Sequence, residues 1–125
     1  MNVSRILIVG ARGKLDGSQF FNSCNRQLNE WGNSKVLLLL RNDHGPVTVM
    51  AKWLSAQKGI PCHLFDIDWN RLGPSAIYQC NDHLLRCATH VLIYTDGFSE
   101  DLKYLESKAL GLGLTVKVLY GEFRD

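Results

Sequence analysis

The sequence predicts an α/β protein, built as a three-layer α/β/α Rossmann-like sandwich around a mostly parallel five-stranded sheet. Short apolar runs of strand length alternate along the chain with segments of helical periodicity. The strand-like runs lack polar alternation, which is typical of strands covered by helices on both faces. A length of 125 residues, 46% of them hydrophobic, suits one compact core, so we expect a single domain over residues 1–125.

Five strands and four helices are expected, in alternation. The predicted strands are Arg5–Val9, Lys35–Leu40, Pro61–Phe65, His90–Tyr94 and Leu114–Leu119. The predicted helices are Ser18–Trp31, Val47–Gln57, Ile77–Cys87 and Ser99–Leu110. Glycines follow three of these helices, at Gly32, Gly59 and Gly111, as helix-ending positions favour.

Charge and composition exclude several classes of partner. The net charge is +2 and the Lys and Arg residues are scattered along the chain, so a nucleic-acid groove is not expected. No apolar stretch reaches 18 residues, and the five-residue apolar run near the N-terminus is too short for a signal-peptide core. The four cysteines lack the dense spacing of a secreted disulfide framework. We expect a soluble, cytoplasmic protein without membrane contact.

Ligands of such sheets bind at the carboxyl ends of the strands, near the point where the strand order reverses. The loop after the first predicted strand holds Gly10, which allows close backbone approach, and Arg12 and Lys14, which can meet an anion. The same glycine can equally serve a tight turn, and both cations can be solvated. The loop after the second strand enters a helix through Gly45, and its His44 beside an aspartate suggests acid–base chemistry, although no Ser or Cys nucleophile is placed to partner them.

Two further loops complete the predicted edge. Residues 66–74 are expected as a long loop, in which Trp69 can stack on a base or cover the edge of the core. Its Asp66 and Asp68 are two residues apart and can hold a divalent cation, although such pairs more often cap turns. The last loop reads DGFSEDL, from Asp96 to Leu102, and joins a buried strand to a helix.

The third predicted helix carries cysteine and histidine residues that suit either a zinc site or an ordinary helix face packed on the core. Cys80, His83 and Cys87 are three and four residues apart, so they share one face of a helix, and His63 or Cys62 would have to complete the ligands. The alternative places the two helical cysteines toward the core, since free cysteine packs as a small hydrophobe. No metal and no cofactor are predicted. The two histidines in strand-like runs, at positions 63 and 90, are expected in the core or at a strand edge.

The ordered motifs resemble the YspA/YpsA-related branch of the SLOG superfamily, whose Rossmann-like domains are similar to the DNA-processing protein DprA and the LOG phosphoribohydrolases. The resemblance covers about residues 5–119. It is carried by G-x-R after the first strand, D-W-x-R-x-G before the third helix, an Asn in that helix, and D-G-x-S after the fourth strand. It implies ligand-binding roles for the matching residues: Gly10, Arg12, Trp69, Arg71, Asn81, Asp96, Gly97 and Ser99.

The departures from the family pattern concern phosphate. The family's glycine-rich loop after the second strand is reduced here to Gly45, and Cys80 stands where the third helix tends to carry Arg. After D-G-x-S the family continues with Gly and Thr, where this chain has Asp101 and Leu102. Two like charges about 4 Å apart repel by about 1 kcal/mol in water and by more in a drier pocket. Phosphate bound in the family's way is therefore disfavoured beside Glu100 and Asp101.

Three functions follow as hypotheses. The first is a non-catalytic module that binds a nucleotide or nucleotide-derived ligand. The second is a degenerate domain that binds a protein partner, as in a phage or mobile-element protein that interferes with a host. The third is a LOG-like nucleoside-monophosphate phosphoribohydrolase, for which Glu100 and Asp101 are the candidate catalytic carboxylates.

The resemblance also implies a homodimer or a higher homo-oligomer. Apolar residues suited to such an interface are Phe20, Phe21, Trp31 and Trp53. The same residues suit the hydrophobic core equally well.

Overall fold

All five strands of the predicted sheet are present, and every pair of neighbours is parallel. The computed structural model describes residues 3–32 and 35–124. The strands are β1 (Ser4–Gly10), β3 (Val36–Arg41), β4 (Cys62–Phe65), β5 (His90–Thr95) and β6 (Thr115–Tyr120), in the sheet order β4-β3-β1-β5-β6. The chain builds outward from β1 in one direction and then in the other, so the order reverses between β1 and β5.

Helices cover both faces of this sheet, because neighbouring residues of each central strand point to opposite sides and both sides are apolar. On one face lie α1 (Gly17–Trp31) and α2 (Pro46–Lys58), packed on residues such as Ile6 and Ile8. On the other lie α4 (Ala76–Cys87) and α5 (Glu100–Gly111), packed on residues such as Leu7 and Val9. All four strand residues are at most 2% exposed, which explains the unbroken apolar run. The three-layer sandwich is confirmed.

Two small elements were not predicted. The segment expected as a long loop contains a short helix α3 (Trp69–Leu72) and a 3-10 turn (Gly73–Ser75). The helix forms because Oδ1 of Asp68 accepts a hydrogen bond from the backbone N–H of Arg71, 3.3 Å away. In addition, β2 (Lys14–Leu15) pairs antiparallel with β7 (Phe123–Arg124), in a ribbon separate from the main sheet.

The helix-face alternative describes the cysteines of α4 well. Cys80 is 8% exposed, and its Sγ donates to the carbonyl oxygen of Phe65 at 3.8 Å. Cys87 packs partly against the same core, and His83 is exposed with its ring edge-on to Phe65. Within residues 3–32 and 35–124, no group of three or more His, Cys, Asp or Glu side chains is arranged to hold a metal ion.

The residues considered for an oligomer interface divide between core and surface. Phe20 is fully buried and contacts Tyr94 edge-on at 5.1 Å between ring centroids, so it belongs to the core. Phe21 and Trp31 pack against the same core from its margin. Trp53 is 46% exposed and lies 4.9 Å from Phe21. No helix in the described part of the chain combines the length and apolar character needed to cross a membrane.

Candidate functional site

A cleft of about 1330 Å³ opens at the carboxyl ends of the strands, between the loops that follow β1, β3, β4 and β5. This is the reversal point of the strand order, where the fold class predicts ligand binding. Several predicted site residues line the cleft together: Gly10, Arg12, Gly45, Trp69, Asp96, Ser99, Glu100 and Asp101. Loops that are distant in sequence therefore meet at one site.

The remaining predicted residues lie outside the lining. Lys14 is exposed in β2 and pairs with Arg124 in the ribbon. Arg71 is exposed and forms an ion pair with Asp68 at 3.0 Å between Nε and Oδ2. Gly97 has a left-handed φ of 96°, and a side chain there would meet the ring of Tyr120.

Asn81 reaches the cleft only through a neighbour. Its amide oxygen, buried in α4, accepts a hydrogen bond of 3.1 Å from Nη1 of Arg41. It therefore positions a residue that itself lines the cleft.

Arg41 is the charged residue that sequence reasoning missed. It ends β3, is 6% exposed and lines the cleft. Its Nη2 lies 3.2 Å from Oδ2 of Asp43, while its Nε has no hydrogen-bond partner within the described ranges. The available signal was an arginine directly after five apolar residues, at the first position beyond the predicted strand.

The carboxylate of Asp43 lies beside the start of α2. Oδ1 of Asp43 accepts hydrogen bonds from the backbone N–H of Gly45 at 2.9 Å and from the hydroxyl of Thr48 at 2.7 Å. The adjacent His44 is held at a left-handed φ of 60°, which is uncommon for a residue with a side chain. Because Asp43 already supplies the negative charge favoured at a helix start, this loop does not present its glycine N–H to an external phosphate.

The loop before α5 is closed in the same manner. The N–H of Gly97 donates to the hydroxyl of Thr95 at 3.0 Å, and the N–H of Phe98 donates to Oδ1 of Asp96 at 3.1 Å. The hydroxyl of Ser99 donates to Oδ1 of Asp101 at 2.6 Å. Three donors of the DGFSEDL loop are thus engaged by side chains of the loop itself and of the adjoining strand.

Asp101 is held in its ionised form. The Ser99 hydrogen bond lowers the pKa of this carboxyl below its usual value, and its own backbone N–H and the positive charges of Arg41 and Arg12 lower it further, against an opposing effect of burial. Glu100, beside it, forms an exposed ion pair with Lys103 at 3.5 Å. Both carboxylates occupy the first turn of α5, where the helix dipole already favours them.

Three aromatic side chains line the cleft. Trp69 is 50% exposed, and Tyr78, which contacts Tyr104 edge-on, is similarly accessible. Phe98 is 85% exposed at the tip of the loop before α5. The rings of Trp69, Tyr78 and Phe98 are accessible surfaces on which a planar ligand group could stack.

Asp66 and Asp68, the two aspartates considered as a possible metal pair, make separate interactions. Asp66 lines the cleft and accepts a hydrogen bond of 2.9 Å from the side-chain amide of Asn42. Asp68 caps α3 and pairs with Arg71, so the turn-capping alternative describes it.

Gly10 is required by packing. A Cβ at this position would lie 2.2 Å from Cγ2 of Val47 and 2.7 Å from the carbonyl oxygen of Tyr94. The close approach of α2 to β1 therefore depends on glycine. This packing role differs from the tight turn considered from the sequence, and it accounts for the residue without a ligand.

Comparison of the chain with protein-family models, with curated proteins and with solved structures gives no match in any of the three. The chemistry of the cleft is therefore argued from its own residues.

Proposed function

We propose that the chain is a SLOG-like binding module that holds a nucleoside or nucleotide-derived ligand in the cleft without acting on it. The observation that carries this proposal is the meeting of Arg12, Trp69 and Ser99, from three separate loops, around one opening at the strand-order reversal. A large cleft lined by three aromatic side chains and a few convergent polar groups suits a small ligand that is part planar and part polar.

Each end of such a ligand has a partner of suitable chemistry. The half-exposed ring of Trp69 offers a face on which a base can stack. The carboxylate of Asp96 is fixed through Oδ1 by the N–H of Phe98, and its second oxygen is the proposed acceptor for a ribose hydroxyl. Arg12 is exposed at the cleft and is the proposed contact for an acidic group.

No reaction is proposed. The side chain of Glu100 is 89% exposed and is shared with Lys103, whereas a carboxylate that stabilises a developing cation acts best where water is excluded. Asp101 is engaged by Ser99.

The experiment is ligand-dependent thermal unfolding against nucleosides, nucleoside phosphates, cyclic dinucleotides, NAD and ADP-ribose. A ligand at one hundred times its dissociation constant stabilises the protein by about 2.7 kcal/mol, which raises Tm by several degrees. Trp69→Ala should remove the shift. Trp53→Ala is the matched control, because Trp53 is about equally exposed but lies on α2 away from the cleft lining. Absence of any shift in the wild type, or equal loss in both variants, would contradict the proposal.

A second candidate, a protein-interaction module, is favoured by one observation: Phe98, a large apolar residue, is 85% exposed at the mouth of the cleft. This candidate predicts no nucleotide-induced shift, together with a copurifying partner that is lost in Phe98→Ser and retained in Trp53→Ala.

A further inference from the structure

We propose that Arg41 anchors an acidic group of the ligand, and that this group carries a single negative charge, as a phosphodiester or a carboxylate does and a terminal phosphate does not. The proposal rests on the proposed function, since it concerns the same cleft. It adds the position of the anion subsite and the charge class of the ligand.

The first step concerns the donor capacity of Arg41. A guanidinium carries five N–H donors in a fixed fork. Asn81 and Asp43 each engage one terminal nitrogen, and Nε has no partner within residues 3–32 and 35–124. Each terminal nitrogen keeps a second N–H, and these are the proposed donors to a ligand oxygen. Asn81 and Asp43 hold the buried side chain in place at the border of the cleft.

The second step is that negative side chains already lie at the other positions of the cleft that favour an anion. Asp43 lies beside the start of α2, where it accepts from the N–H of Gly45, and Asp101 lies in the first turn of α5. The loop N–H groups of Gly97 and Phe98 donate to the side chains of Thr95 and Asp96. Among the described lining residues, Arg41 and Arg12 are the remaining cationic contacts, apart from the imidazole of His44.

The third step concerns the charge that the ligand can carry. The described lining holds two guanidinium groups against five carboxylates: Asp43, Asp66, Asp96, Glu100 and Asp101. A ligand with one negative charge can be attracted by both Arg41 and Arg12, whose positive charges also act on Asp101. A second negative charge would face the carboxylates without a further fixed cation, so a dianion should bind more weakly than a monoanion.

The test is a charge ladder on one base and one sugar, measured by isothermal titration calorimetry at pH 7.5 with the full chain. Adenosine, 3′,5′-cyclic AMP and AMP carry about 0, −1 and −2 charges there, because the second pKa of a phosphate monoester is about 6. The guanosine series is run in parallel. The cyclic nucleotide of at least one series should bind about tenfold or more tighter than both its nucleoside and its monophosphate, the factor expected of a charge-assisted hydrogen bond.

Two variants locate the effect. Arg41→Lys keeps the charge but loses the fork, so it should remove most of the tenfold gain for the cyclic nucleotide while nucleoside affinity stays the same. Asp101→Asn should strengthen monophosphate binding relative to nucleoside binding. Glu106→Gln makes a similar change on α5 outside the cleft lining and should leave the ladder unchanged.

The outcomes separate the two proposals. Nucleoside binding that requires Trp69 but shows no preference for the monoanion would overturn the Arg41 subsite and leave the proposed function standing. Monophosphate binding as tight as cyclic-nucleotide binding in the wild type would also overturn the subsite, even if Arg41→Lys does not fold. No binding of any member would overturn the Arg41 subsite, and it would overturn the proposed function as well if the thermal-unfolding panel also gives no shift.

Discussion

Replacing Gly10 by alanine tests whether the first loop is shaped by packing or by a ligand. The added Cβ would lie 2.2 Å from Cγ2 of Val47 and 2.7 Å from the carbonyl oxygen of Tyr94. To reach ordinary contact at 3.4 Å, the valine methyl would have to move by about 1.2 Å and the carbonyl by about 0.7 Å. The first movement repacks α2, and the second bends β5.

The expected cost follows from overpacking. Inserting a methyl group into a filled core costs about 1–3 kcal/mol, and Gly→Ala returns about 0.4–1 kcal/mol by restricting the unfolded chain. Because the overlap with the Val47 methyl is as short as 2.2 Å, the upper end of the overpacking cost applies. We therefore expect Gly10→Ala to lower the unfolding free energy by about 2–2.6 kcal/mol and Tm by roughly 5–10 °C. Urea unfolding and calorimetry without ligand measure both quantities.

A double variant separates the two clashes. Val47→Ala removes the methyl group at 2.2 Å but leaves its own Cβ and the carbonyl of Tyr94, each 2.7 Å away, so the double variant should lose less than the sum of the single variants and should not regain full stability. Gly111→Ala is the control, because no atom lies within 4 Å of its Cβ position, and alanine there should stabilise by up to about 1 kcal/mol. An unchanged Tm for Gly10→Ala, combined with weaker ligand binding, would refute the packing argument.

Three further predictions concern single side chains. Burial raises the pKa of the Cys24 thiol to about 12, so at pH 8 a thiol reagent should label exposed Cys62 in the native protein and Cys24 only after unfolding; mass spectrometry of the labelled peptides checks this. The folded pKa of Asp101 lies below its reference value of 3.8, so its stabilising effect is present above pH 3.8 and is lost as the pH falls through the folded value. Urea unfolding should therefore find Asp101→Asn less stable than wild type at pH 7, with a gap that narrows toward pH 2.5, and a gap independent of pH would contradict this. Asp16→Ala removes the cap that accepts two N–H bonds at the start of α1 and should cost about 1 kcal/mol in thermal unfolding, whereas Asp16→Asn should keep most of the stability.

The main sheet and its helices were predictable because their signals are local. Each predicted strand and helix agrees with the structure to within one residue at either end, since apolar runs and helical spacing are read over a single segment. The meeting of the loops after β1, β3, β4 and β5 was predictable, because the carboxyl ends of parallel strands all lie at the same edge of the sheet. The helix α3 was missed because its main signal is one capping aspartate, Asp68, in a segment rich in turn residues.

The details of the cleft were less predictable, because they depend on partners distant in sequence. Buried Arg41 donates a hydrogen bond to Asn81, which lies forty residues further along the chain. Lys14 was predicted as an anion contact, yet it lies in β2 and is paired with a residue at the other end of the chain. Which donors of the DGFSEDL loop are occupied also depends on rotamers that residue spacing does not specify.

The ribbon of β2 and β7 affects when the cleft can form during synthesis. Leu15 pairs with Phe123, whose ring lies 5.6 Å from that of Tyr94, so the loop that carries Arg12 is fastened by residues near the far end of the chain. The other strands can pair progressively as they leave the ribosome, whereas this fastening must wait until residue 124 has emerged. The proposed ligand binding should therefore appear in a nascent chain only after the sheet has formed and residue 124 has emerged.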